Sequence, residues 1–141
     1  MINLYKFYIL SHRLYLMKIP FLPFLIKFII FIIYNCNIPY ECILGKGTRF
    51  AYSGIGVVLH KRTRMGKNCM IGTQVTVGGK SGHYEVPIIG DNVYLATGSK
   101  ILGPIKIGNN VTIGANAVVI KDVPDNCVVA GIPAKIIKKG I

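Results

Sequence analysis

Tryptophan is absent from these 141 residues, and acidic side chains are scarce: five Asp and Glu face seventeen Lys and Arg, a net charge of +12. Charged residues make up only 16% of the chain and hydrophobic ones 52%. That balance excludes a disordered tail and favours a filled interior. The positive charge comes with no helix-turn-helix, no zinc-finger spacing and no basic–aromatic interleaving, so nucleic acid is not an expected partner. Cys36, Cys42, Cys69 and Cys127 include no close pair of the zinc-ligand kind, and buried reduced thiols are the expectation. Histidine is also rare: His12, His60 and His83 are the whole supply.

Residues 1–40 lack Asp and Glu altogether but hold Lys6, Arg13, Lys18 and Lys27 among Phe, Leu, Ile and Tyr. The apolar run IPFLPFLIKFIIFIIY, residues 19–34, is interrupted by Pro20, Pro23 and Lys27 and is too short for a comfortable membrane span. No small-residue cleavage site follows it, so a secretory signal is not expected. The pattern predicts two short helices, roughly 3–17 and 22–35, parted at the prolines. Two roles fit this segment. It can close the open end of whatever follows, or residues 1–35 can rest as a basic, apolar surface on the inner face of a membrane. The expected location is cytoplasmic, with or without that peripheral contact.

From residue 41 the chain repeats every six residues. Leu59, Met65, Ile71 and Val77 set a frame that resumes at Ile89 and runs through Leu95, Ile101, Ile107 and Ile113 to Val119. Four places further into each hexad stand Thr63, Cys69, Val75, Val93, Ser99, Ile105, Val111 and Ala117, small or β-branched almost throughout. A period of six is neither helix nor plain strand. It predicts short strands joined by sharp turns, with positions one and five facing an interior that only stacking can bury. Second positions are mostly glycine, but His60, Ala96, Leu102 and Ile120 are not. The frame breaks twice, at AYSGIG before Leu59 and at GKSGHYEVP between Val77 and Ile89. The second break predicts an excursion loop over 79–88.

Three stretches, GVVLHKRTRMGKNCMIGTQVTVGGKSG, ATGSKILGPIKIGNNVTIGANAVVIKDVP and VVAGIPAKII, resemble the hexapeptide-repeat acyltransferases. Within them the chain is most similar to serine acetyltransferases and to relatives that O-acetylate polysaccharides. The resemblance implies an all-β solenoid, a left-handed parallel β-helix over residues 41–141 behind a helical segment over 1–40. It also implies a homotrimer with active sites between subunits and acetyl-CoA as acyl donor. The short N-terminal segment argues for a sugar or polysaccharide precursor as acceptor. Serine, as in cysteine biosynthesis, is the alternative, and a non-catalytic β-helix scaffold is a second.

Acetyl transfer to a hydroxyl needs a base for its proton and donors for the oxyanion. His12 is expected to be structural. With three hexads per turn, Gly78 stacks over His60 and the loop carrying His83 departs just beyond Gly79. His60 is therefore the expected general base, and His83 its partner. The serine acetyltransferase likeness puts its catalytic histidine at Tyr52–Ser53, where this chain has none, and these two are expected at the acceptor. The family's CoA contacts fall on Gly79, Lys80, Thr97, Gly98, Ala115 and Lys121, with Lys135 available for phosphate. No metal is expected: three converging histidines, as in the related γ-carbonic anhydrases, are not available from this set.

Overall fold

The structure, a computed structural model, describes residues 3–140. Residues 43–139 form a parallel β-solenoid with three faces. The first face stacks Ile43–Leu44, Arg64–Met65, Ile88–Ile89 and Lys106–Ile107. The second stacks Arg49–Phe50, Met70–Ile71, Tyr94–Leu95, Thr112–Ile113 and Cys127–Gly131, closed by Ala134–Lys139 running antiparallel. The third stacks Val58–Leu59, Thr76–Gly78, Lys100–Leu102 and Val118–Val119. Each two- or three-residue strand supplies one inward apolar residue, and the small residue at position five fills the corner between faces. Leu59, Ile71, Val77, Leu95, Ile101 and Ile113 are buried, as are Thr63, Cys69, Val75, Val93, Ser99 and Ala117. Two of these carry a cost, since the Thr63 and Ser99 hydroxyls have no hydrogen-bond partner in the interior.

The three edges are built differently, and this explains the glycine pattern. Between the first and second faces, Asn68, Asn92, Asn110 and Asn126 adopt left-handed φ of 55–58°. They form a side-chain ladder from Asn92 to Asn110 to Asn126. Successive rungs crowd here: a Cβ on Gly66 would lie 2.8 Å from the carbonyl carbon and oxygen of Gly90. At the edge between the third and first faces the rungs stand apart, and a Cβ on Gly78 would meet nothing nearer than Leu102 Cδ2 at 3.4 Å. The second positions of that edge are His60, Gly78, Leu102 and Ile120. Side chains are accepted there because there is room for them.

Two helices cover the N-terminal end of the rod. Helix α1, Leu4–Leu16, is started by the Asn3 side chain accepting from the Tyr5 N–H. Helix α2, Leu22–Tyr34, follows the prolines. Leu4, Tyr8, Ile30 and Tyr34 join one core with Cys36, Ile38, Cys42 and Val57. The Tyr8 hydroxyl donates to the Cys42 carbonyl, and the Tyr5 hydroxyl to the Gly45 carbonyl at 3.0 Å. His12 is stacked on Tyr8 and its Nδ1–H donates to the Tyr40 carbonyl at 2.7 Å, a structural role. All four cysteines are buried free thiols, and burial pushes Cys36 and Cys42 up to about 12. Phe24, Phe28, Phe31, Ile32 and Ile33 of α2 face outward and are exposed. Among the described residues no helix is long and apolar enough to cross a membrane.

Candidate active site

His60 begins the turn between the third and first faces. Its own N–H donates to the Val77 carbonyl at 2.9 Å, and the pairing of Leu59 with Val77 sets Gly78 above it. The ring is half-buried. Its Nδ1 accepts a hydrogen bond from the backbone N–H of Arg62 at 3.1 Å. A backbone amide can only donate, so in the neutral ring the proton resides on Nε2. Desolvation, and then the nearby Arg62 and Lys61 cations, hold the His60 pKa below the usual histidine value.

The excursion leaves the rod after Gly78 on this same edge and returns at Ile88. Arg62 fastens it. The guanidinium lies 4.0 Å over the Tyr84 ring, while Nε and Nη2 donate to the Tyr84 carbonyl at 3.0 and 2.7 Å. The planar fork and the ring face suit both contacts at once. Within the loop the His83 N–H donates to the Lys80 carbonyl at 3.0 Å. The His83 side chain is exposed, and among the described residues nothing engages its ring. Beneath the loop lies a cavity of about 630 Å³ against the first face, lined by Lys61, Arg62, Arg64, Glu41, Tyr84 and Glu85 among others.

The residues expected to form one site fall on two edges of the rod. His60, His83, Gly79, Lys80 and Lys121 share the edge between the third and first faces. Tyr52, Ser53, Thr97, Gly98 and Ala115 lie on the edge between the second and third, across a whole face. Tyr52 and Ser53 sit in a short 3-10 turn, Ala51–Gly54, both with left-handed φ, and Tyr52 is 79% exposed. The Thr97 hydroxyl hydrogen-bonds that of Thr73. Gly98 has a structural reason of its own, because a Cβ there would strike Asn116 Oδ1 at 2.0 Å. Lys121 and Lys135 are exposed, Lys135 on the closing antiparallel strand. Gly79 is exposed beside Lys80, and an added Cβ there would meet only Val86 Cγ1, at 3.4 Å. Among the described residues no three His, Cys, Asp or Glu side chains converge as a metal site.

Sequence reasoning missed Arg62 and Tyr84. Arg62 sits at an ordinary place in its hexad and Tyr84 inside the excursion, and only the loop's return path brings them together. Lys100 was missed too: its ammonium donates to the Gln74 and Gly98 carbonyls at 3.0 and 2.7 Å from the third face.

Residues 87–121 match the family described as Bacterial transferase hexapeptide (six repeats). A serine acetyltransferase of Synechococcus elongatus is 38% identical over 129 residues, 90% of this chain and 52% of that protein. The solved Neisseria gonorrhoeae serine acetyltransferase superposes with a TM-score of 0.90 at 33% identity, covering 98% of this chain and 54% of the other. A Brucella abortus serine acetyltransferase solved with coenzyme A gives a TM-score of 0.90 at 31% identity, over 96% of this chain and 55% of its own. The chain thus spans about half the length of these relatives.

These matches correct the expected acceptor. The expectation of a sugar or polysaccharide precursor rests on the shortness of the N-terminal helical segment beside the helical domain of serine acetyltransferases. A match covering 98% of the chain leaves too few residues outside it for α1 and α2 to be excluded. The helices are part of the likeness, and the argument against serine from the N-terminal segment falls.

Proposed function

We propose that this chain, a hexapeptide-repeat protein of the serine acetyltransferase type, transfers an acetyl group from acetyl-CoA to the hydroxyl of serine. The observation that carries this is the extent of the likeness, which takes in the helical cap as well as the rod. The chemistry on the page is compatible with it. Two imidazoles share one edge, beside the exposed Gly79, where a slender pantetheine arm can approach the backbone. The hydroxyl oxygen attacks the thioester carbon, its proton passes to an imidazole, and the CoA thiolate leaves; no covalent acyl-enzyme is needed.

The split between two edges points to an assembly. Tyr52, Thr97 and Ala115 of one copy can complete a site with His60 and His83 only across a cleft between subunits, which a homotrimer supplies. Lys80, Lys121 and Lys135 are free to meet CoA phosphates there.

The test follows thiol release from acetyl-CoA with L-serine as acceptor, beside thermal unfolding with and without CoA. Serine-dependent release and CoA protection are expected. Protection without serine-dependent release sinks the acceptor. Absence of both leaves a non-catalytic scaffold.

A further inference from the structure

We propose that His60 serves the transfer as a neutral hydrogen-bond donor through its Nε2–H, set in that tautomer by the Arg62 backbone, and that His83, held on the same edge by the Arg62 side chain, takes the hydroxyl proton. The inference rests on the acetyl-transfer reading above and divides the labour between its two imidazoles.

The ground is the direction of one hydrogen bond. The Arg62 N–H reaches His60 Nδ1 at 3.1 Å, so the Nδ1 lone pair is occupied. For His60 to act as a base through Nε2, a proton would have to sit on Nδ1, facing the Arg62 N–H. Two donors would then oppose each other, and the bond that orients the ring would be lost. A basic histidine is ordinarily oriented by an acceptor, a carboxylate or carbonyl, at its other nitrogen. Around His60 the charged neighbours on its own turn are Lys61 and Arg62. The rung above offers Gly78, and from the rung below the Cys42 thiol meets only the His60 carbonyl, at 3.1 Å. Among the described residues the charges that act on His60 are both positive, and they disfavour an imidazolium.

His83 differs in having both ring nitrogens uncommitted among the described residues, and its loop is pinned through the next residue by the stacked, doubly donating Arg62. The acceptor oxygen forms its bond to the thioester carbon as its proton moves to His83. The carbonyl oxygen gathers charge and accepts from His60 Nε2–H. The carbon–sulfur bond then breaks, and the departing thiolate takes the proton back from His83. Arg62 is the positioning residue for both rings.

Two measurements test this. Long-range ¹H–¹⁵N NMR of histidine-labelled protein reads the tautomer without any substrate; a proton on Nε2 of His60 is expected, and one on Nδ1 overturns the inference. In kinetics, His60→Gln keeps an N–H donor but cannot titrate. It should hold kcat within about tenfold of wild type, whereas His60→Ala should lose about 10²–10³-fold, the size expected for an oxyanion donor. The acidic limb of the pH profile should survive in His60→Gln and vanish in His83→Gln. If His60→Gln falls as far as His60→Ala and loses that limb, His60 is the base and the inference is wrong. A wild type that transfers nothing to serine overturns the acceptor reading instead, and the NMR result alone then decides the tautomer.

Discussion

Replacing Gly66 and Gly78 by alanine should change stability in opposite directions, although both occupy the second position of a hexad. At Gly66 the new Cβ would lie 2.1 Å from Asp91 Oδ1 and 2.8 Å from the backbone of Gly90. Backbone cannot yield as a side chain does, and overpacking of this kind costs about 1–3 kcal/mol. Asp91 would also be pushed off the Lys67 N–H, which donates to it at 2.8 Å, a charge-assisted bond worth about 1.5–3 kcal/mol. Together these come to about 2.5–6 kcal/mol, a large part of a domain's usual margin. At about 3 °C per kcal/mol for a chain of this size, Tm should fall by about 8–18 °C. At Gly78 the Cβ finds ordinary contact at 3.4 Å, and φ lies outside the left-handed region. There the gain from a stiffer unfolded chain, about 0.4–1 kcal/mol, should prevail and raise Tm by about 1–3 °C. Thermal unfolding by circular dichroism, at one protein concentration, reads both. A Gly78→Ala variant destabilised as much as Gly66→Ala would refute the claim that the histidine-bearing edge is the roomy one.

Three other outcomes are expected. Thr63→Val keeps the side-chain shape and removes a buried hydroxyl with no partner, so denaturant unfolding should show a gain of about 1 kcal/mol. Arg62→Ala unties the excursion from Tyr84: proteolysis within 79–87 should accelerate and kcat fall by about 10²-fold, a misplacement effect, while Tm shifts little. The third concerns pH. The folded-state pKa of His60 is depressed, so below the ordinary histidine value near 6.5 the unfolded chain binds the proton first. The His60 contribution is therefore complete above that pH and is lost as pH falls through the folded value. His60→Gln should flatten the Tm-versus-pH curve in that window, and an unchanged slope would count against the shift.

How much of this was legible in the sequence depends on which residues faced which way. Leu59, Ile71, Leu95 and Ile113 face the interior because six residues make one strand and one corner, and their spacings are whole multiples of six. Thr63, Cys69 and Ala117 could be assigned to corners by size alone. The excursion was visible as six residues too many between Val77 and Ile89. The sequence could not say which of three edges a given turn would join, since the excursion lengthens one coil and resets the stacking from eighteen residues to twenty-four, as the pairing of Met65 with Ile89 records. So the split of Tyr52, Thr97 and Ala115 from His60 and His83 emerged only in three dimensions. The same holds for Arg62 and Tyr84, and for the proton on His60. Local spacing determines which side of the chain is apolar, because that needs only the period of the backbone. Hydrogen-bond direction and edge membership are set by what lies on the neighbouring rung, and only the folded rod brings those partners together.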